Sequence, residues 1–365
     1  MTLPLGFTNR MKLRLGVLAW VLAGAMARAE TPVAEALMEA GHWKRARVLA
    51  ASRLAAHPND AEAVWWMARV ELAYGDLEKA LPLAEKAVSL DGRNAVYRAI
   101  LAQVYGRMAQ RASVLRQIGL ARRCKRELDM ALQLNPNHVH LLVGYMEYLW
   151  QAPGIVGGDK KKAREIPERV GRIDPARGYL AAAQLAQWEQ NTSKLEDLYR
   201  KAAEADPRCY EARTFLAGLY LDRNPVRFDL VEKYARAALG IDPGRAGAYA
   251  HLAAGYALQE RWPEMETTIA QAEKNVPDDL APSYAAGNAL LGSGKELARA
   301  ESAFRKYLTQ EPEVDAPAIW TARWRLGLVL EKLTRPREAV SELEAALRLK
   351  PESEEVRKDL QRLQR

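Results

Sequence analysis

Residues 326–351 read LGLVLEKLTRPREAVSELEAALRLKP. A leucine is followed by a small residue and, three further on, by a long apolar one (Leu326-Gly327-Leu330); Ala339 and Ala346 then stand twelve and five residues before Pro351. The same marks recur upstream. A proline, or in one case a glycine, follows a helix end at Pro58, Gly92, Pro136, Pro175, Pro207, Pro243, Pro277, Pro312 and Pro351, at spacings of 34, 44, 39, 32, 36, 34, 35 and 39 residues. Twelve residues before these positions come Ala46, Ala80, Cys124, Ala163, Ala300 and Ala339, and five before come Ala87, Ala131, Ala202, Ala238, Ala272 and Ala346. The leucine mark returns as Leu101-Ala102-Tyr105, Leu216-Ala217-Tyr220 and Leu252-Ala253-Tyr256. Small side chains at a constant period mark places where helices approach closely, and a period near 34 residues is that of a repeated pair of antiparallel helices.

Such a pair cannot bury its apolar faces alone, so neighbours stack and the core becomes a continuous stripe along a superhelix. The proline ends the second helix of each pair. The pattern strongly resembles the tetratricopeptide repeat over about residues 31–351, roughly nine units. That resemblance implies an all-α, right-handed solenoid, with the repeat array over residues 30–351 and a charged helix over 352–365 whose Val356, Leu360 and Leu363 cap the last unit.

Composition agrees with a helical protein. With 49% hydrophobic and 27% charged residues, the 365-residue chain falls outside the disordered, collagenous and multi-span membrane classes. Nine Trp against four Phe, with abundant Ala, suit packed helices better than a sheet. The net charge of +8 falls to +4 once residues 1–29 are set aside, since they hold Arg10, Lys12, Arg14 and Arg28 and no acid, leaving 50 basic against 46 acidic residues. Nucleic acid is therefore not an expected partner.

Those first residues read as a secretory signal: a basic region at Arg10, Lys12 and Arg14, an apolar run from Leu15 to Met26, and an A-x-A site at Ala27-Arg28-Ala29. Cleavage after Ala29 would deliver the chain to the periplasm or the medium with no stable membrane span. The alternative is an uncleaved anchor, for which the run falls short of the roughly 20 residues a span needs. Only Cys124 and Cys209 are present, which is no disulfide framework.

The repeat is broken in two places. About eight extra residues fall between Gly92 and Pro136, around Met108 to Ile118, and are accommodated most simply by longer helices projecting from the stack. In the fourth unit the turn between helices is replaced by an extended, apolar-tipped loop, Pro153-Gly154-Ile155-Val156-Gly157-Gly158, ending at an N-cap Asp159. Pro167 then falls inside the following helix, where a kink or opening is expected. The loop either inserts its tip into the concave face or a partner, or serves as a packing device that absorbs a length change.

Tests for chemistry give nothing catalytic. Gly157-Gly158-Asp159-Lys160 and Gly294-Lys295-Glu296 both lack the Gly-Lys-Ser/Thr order of a phosphate loop, so no nucleotide cofactor is expected. The five histidines, His42, His57, His138, His140 and His251, show no i, i+4 pair, and His138 and His140, two apart, are expected on different sides of a helix, so no metal is expected. No G-x-S-x-G elbow occurs, and Cys124 stands at a packing position. Neither enzyme nor cofactor is indicated.

Surface recognition is what remains. The family resemblance implies that the first helices line a concave groove, which carries over to Trp65, Arg69, Gln103, Arg107, Tyr145, Tyr148, Gln184, Trp188, Asp222, Tyr284, Asn288, Trp324 and Lys332. Aromatic anchors beside Arg, Gln and Asn suit an extended peptide or helix of a protein partner. The alternatives are a carbohydrate module in which Trp65, Tyr145, Tyr148, Trp188 and Trp324 stack on sugars, or packing between repeats. The Lys/Asn carboxylate clamp of chaperone-tail-binding relatives is absent, since the first unit offers Arg28, Thr31 and Glu35.

Overall fold

The computed structural model describes residues 34–364. The signal-peptide reading of residues 1–29, its cleavage site, and Thr31 of the clamp comparison lie outside them. Among the described residues nine helical pairs follow one another: α1 (34–40) with α2 (Trp43–Ala56), α3 (Ala61–Ala73) with α4 (Leu77–Leu90), α5 (Ala95–Arg111) with α6 (Val114–Leu134), and α7 (Val139–Gln151) with α8 (Lys160–Gly171). Then come α9 (Pro175–Trp188) with α10 (Leu195–Ala205), α11 (Tyr210–Leu221) with α12 (Phe228–Ile241), α13 (Ala246–Leu258) with α14 (Trp262–Asn275), α15 (Ala281–Ser293) with α16 (Leu297–Tyr307), and α17 (Ile319–Lys332) with α18 (Pro336–Leu349). The last helix, α19 (Glu354–Leu363), buries Val356 against Leu343 and Ala346 and packs Leu360 and Leu363 beside Trp320 and Trp324.

The periodic residues have direct physical roles. Ala46, Ala80, Ala163, Ala300 and Ala339 have no exposed surface, as expected where two backbones come close. The tyrosines of the leucine mark tie each first helix to the second helix of the preceding pair. Tyr105 donates its hydroxyl to Glu85 at 2.9 Å, Tyr220 to Glu196 at 2.7 Å, and the Tyr256 hydroxyl accepts from Arg236 at 2.9 Å. Each tyrosine ring is at least nine-tenths buried, so these bonds join the repeats from within the core.

The irregular spacings resolve into three different events. Between Gly92 and Pro136 the pair α5–α6 is lengthened, to 17 and 21 residues. The 39 and 32 around Pro175 arise because that proline opens α9 at its first turn instead of closing α8, and there its missing N–H costs nothing. The final 39 reflects residues 308–318, a connection between α16 and α17 that contains no helix.

The fourth repeat corrects the reading of its loop. Residues 153–158 are not an extended loop: Gly154–Val156 form a single 3-10 turn, Val156 points inward, and Pro153, Gly154, Ile155 and Gly157 face water. The Tyr148 hydroxyl donates toward the carbonyl of Val156 at 2.6 Å and also lies 3.1 Å from that of Ala121, pinning the turn against α6. Gly157 adopts φ +93°, and a Cβ on Gly158 would sit 1.7 Å from the Ala152 carbonyl oxygen, so both positions require glycine. Asp159 caps α8 by accepting from the Lys161 and Lys162 amides. Beyond it α8 runs unbroken through a buried Pro167 to Gly171.

Candidate functional site

First helices of the first four repeats enclose a cavity of about 640 Å³. Glu35 and Glu39 come from α1, Trp65 and Arg69 from α3, Gln103, Arg107 and Gln110 from α5, and Glu147, Tyr148 and Gln151 from α7, with His138 and His140 at the head of α7. Of the residues expected in a groove, Trp65, Arg69, Gln103, Arg107 and Tyr148 are brought together here, and Pro153 joins them at the rim. The floor includes Cys124, whose thiol burial pushes up to about 12, so it is uncharged at neutral pH.

The walls hold polar atoms without partners. Arg69 lies over the Trp65 ring, its guanidinium carbon 4.9 Å from the centroid, and makes no hydrogen bond or ion pair among the described residues. Burial pulls its pKa below the ordinary arginine value, against the opposing field of Glu35 and Glu39. Burial likewise raises Glu35, with Arg69 opposing. Trp65 is 6% exposed, and its Nε1–H, like the Nδ1 of His138, is buried with no partner among the described residues. Both of these atoms are shielded from the cavity, and the exposed polar side chains on its wall are those of Gln103, Arg107 and Gln110.

His138 and His140 do not point to different sides of a helix. His138 is the N-cap residue of α7 with extended backbone (φ −76°, ψ 114°), which swings its ring to within 5.9 Å of His140, and both face the cavity. Helical periodicity fails there because the helix has not yet begun. Among the described residues no cluster of three or more His, Cys, Asp or Glu could hold a metal.

The remaining groove expectations are redistributed. Tyr145 faces a separate cleft with Lys162 and Arg169. Trp188 stacks on Trp150 at 6.2 Å, and Gln184 is half-buried on α9. Tyr284 packs edge-on against Phe304 at 5.4 Å, Asn288 is exposed on α15, and Asp222 and Lys332 lie at exposed helix ends. Trp324 is covered by the capping helix, donating its Nε1–H to Asp359 at 2.8 Å. The physical reason is register: a one-residue rotation on a first helix exchanges groove for inter-repeat core. The five aromatics weighed for sugar stacking therefore share no platform.

The first repeat also meets the far end of the array. The Lys44 amide donates to the Glu313 carboxylate at 3.2 Å, the Lys44 ammonium to the Glu311 carbonyl at 2.6 Å and to Gln310 at 3.2 Å. Arg45 pairs with Asp278 at 2.5 Å, Arg47 with Glu311 at 3.2 Å, and His42 Nδ1 lies 3.4 Å from Asp278. The stack thus curls round until repeat one touches the connections that follow α14 and α16, and Val314 joins the cavity wall. These clasp residues were not foreseen. The signal for them was the 39-residue spacing from Pro312 to Pro351, which marks the 308–318 insertion.

Glu313 in this clasp is 4% exposed, and desolvation raises its pKa to about 7 from 4.5, Asp278 and Asp279 adding to the rise and Lys44 opposing it. Folded Glu313 holds its proton to higher pH than the unfolded chain, so its contribution to stability is complete below pH 4.5 and is lost as the pH climbs through 7. Glu313→Gln, which keeps an acceptor for the Lys44 amide, is expected to flatten that part of the stability profile. It should also stabilise the chain at about pH 8 by about 1 kcal/mol after allowance for solvent screening. Urea unfolding across the pH range measures this, and parallel profiles for variant and parent would refute it.

Comparison with known proteins places this geometry. Tetratricopeptide-repeat family models match residues 34–104 and 284–354. No curated protein sequence matches the chain. Among solved structures it is similar to a thermophilic TPR protein of Thermus thermophilus, at 21% identity and a TM-score of 0.44 over 58% of this chain and 98% of that one. It is also similar to yeast Tom70, at 14% identity and a TM-score of 0.48 over 91% and 80% of the two chains. A third is PilW, a type IV pilus biogenesis factor, at 18% identity and a TM-score of 0.46 over 61% and 98%. Family models thus identify tetratricopeptide repeats near both ends of nine consecutive helical pairs.

Proposed function

We propose that the chain is a cell-envelope scaffold that holds an extended segment of a protein partner in the cavity of its first four repeats, without covalent chemistry. The observation that carries this reading is the convergence on one cavity of the Arg69 guanidinium and the exposed side chains of Gln103, Arg107 and Gln110, beside the apolar surface of Trp65 and Tyr148. An extended peptide offers carbonyls and N–H groups at short intervals along its length, which such a wall can satisfy while Trp65 and Tyr148 provide apolar contact. The envelope location rests on the basic, apolar and A-x-A order of residues 10–29.

Photo-crosslinkers at the exposed positions Gln103 and Arg107, with Glu204 and Arg348 on second helices as controls, test it in the native host. One protein is expected from the two cavity positions and not from the controls. Arg69→Gln should reduce that capture by about tenfold or more, because a charged hydrogen bond in a half-buried site is removed. Equal capture from controls and cavity, or indifference to Arg69→Gln, would end the proposal. Recovery of glycan in place of protein would move the reading to the carbohydrate alternative.

A further inference from the structure

Residues 107–126 contain six arginines, one lysine and no acid. They form the end of α5, the turn at Ala112-Ser113 and the first half of α6, the pair that is lengthened beyond the rest of the stack. Arg116, Arg122, Arg123 and Arg126 are exposed on α6, whose opposite face buries Ala121, Cys124 and Leu128. Elsewhere the arginines are largely paired with carboxylates, as at Arg299, Arg305, Arg335 and Arg362. Here Arg116 and Arg122 have no ion-pair or hydrogen-bond partner among the described residues, Arg123 lies over the Tyr105 ring and Arg126 reaches Glu127 at 3.4 Å. The positive charge is left facing water.

The same edge carries bare apolar tips. Val114 is 73% and Leu115 88% exposed at the start of α6, and Ile155 is 74% exposed on the 3-10 turn of the fourth repeat. The two tips are neighbours: Gln110 donates to Gln151 at 2.9 Å across the ends of α5 and α7, and Tyr148 ties the turn to Ala121. Lys160, Lys161 and Lys162, all exposed, begin the next helix.

We propose that this edge docks the chain on a lipid bilayer surface that carries negative charge. Protruding single apolar side chains among exposed cations match an interface that offers a soft apolar layer beneath a diffuse sheet of anions. An acidic protein would have to supply recesses shaped to the three protruding side chains, whereas a bilayer accepts them without a complementary shape. The proposal is independent of the cavity reading.

The test is co-sedimentation of the full chain with vesicles of phosphatidylcholine alone, or of phosphatidylcholine and phosphatidylglycerol in equal parts, at low and high salt. Binding is expected only with the mixed vesicles and should weaken with salt. Arg116→Glu, Arg122→Glu and Arg126→Glu together should lower partitioning by about a hundredfold, and Val114→Ser with Leu115→Ser by about tenfold. All five positions are exposed, and circular dichroism checks that the helices persist. No binding, equal binding to both vesicles, or binding that survives both sets of substitutions would overturn the proposal. The last outcome would place the contact elsewhere in the chain. Retention on immobilised polyglutamate without vesicle binding would also overturn it, assigning the edge to an acidic protein.

Discussion

Gly178→Ala is expected to lower the unfolding free energy by about 3 kcal/mol, at the upper end of what one added methyl group costs in a packed core. A Cβ at Gly178 would lie 2.4 Å from the Gly171 Cα, 2.7 Å from the Gly171 nitrogen and 3.1 Å from the Pro167 carbonyl oxygen. All three atoms belong to the backbone of α8, so no side-chain rotation relieves the contact, and α8 and α9 must move apart. The reciprocal substitution is the control. A Cβ at Gly171 meets only the Gly178 Cα, at an ordinary 3.8 Å, so Gly171→Ala should change stability by less than about 1 kcal/mol. Urea unfolding followed by circular dichroism compares the two, and equal effects would refute the proposed close approach.

Trp66→Ala is expected to cost about 3–5 kcal/mol. Trp66 is fully buried on α3, next to the cavity residue Trp65, with the Arg53 guanidinium carbon 4.7 Å from the centre of its ring. Truncation leaves a void in the second repeat and releases the helix that carries Arg69. In a linear stack each repeat contacts only its neighbours, so the loss should spread through repeats one to three before it reaches the rest. The clasp between Lys44 and Glu313 couples the two ends and opposes this decoupling. Unfolding of Trp66→Ala should therefore become two-step only when Lys44→Glu is added as well. Trp66→Phe, which removes the unpaired Nε1–H along with part of the ring, should cost less than the alanine change. Tryptophan fluorescence and circular dichroism read together detect the steps, and a single coincident transition in the double variant would refute the coupling.

Much of the architecture was legible because the repeat states it many times over. A missed proline such as Gly92, or a displaced one such as Pro175, does not erase a period carried by Ala80, Ala87, Ala163 and Ala202 as well. The lengthening of α5 and α6 was legible for the same reason, as residues in excess of a known period. The candidate site was legible only in part. Trp65, Arg69, Gln103 and Arg107, reached by counting along first helices, lie together on the cavity wall. Trp324 and Tyr284 were assigned by the same count and proved to be packed, because the count does not show what covers a face.

The amino-acid sequence alone determined the helical pairs, their number, the small residues at their crossings and the charged closing helix, since each follows from local periodicity and from apolar faces that need a neighbour. Tertiary structure alone decided that His138 turns beside His140, that Tyr148 spends its hydroxyl on the 153–158 turn, and that Lys44 meets Glu313 across 269 positions of chain. Small rotations between successive repeats add up along the stack, and no local pattern records their sum. That accumulated curvature brings repeat one against the 308–318 connection and seats Val314 in the cavity wall.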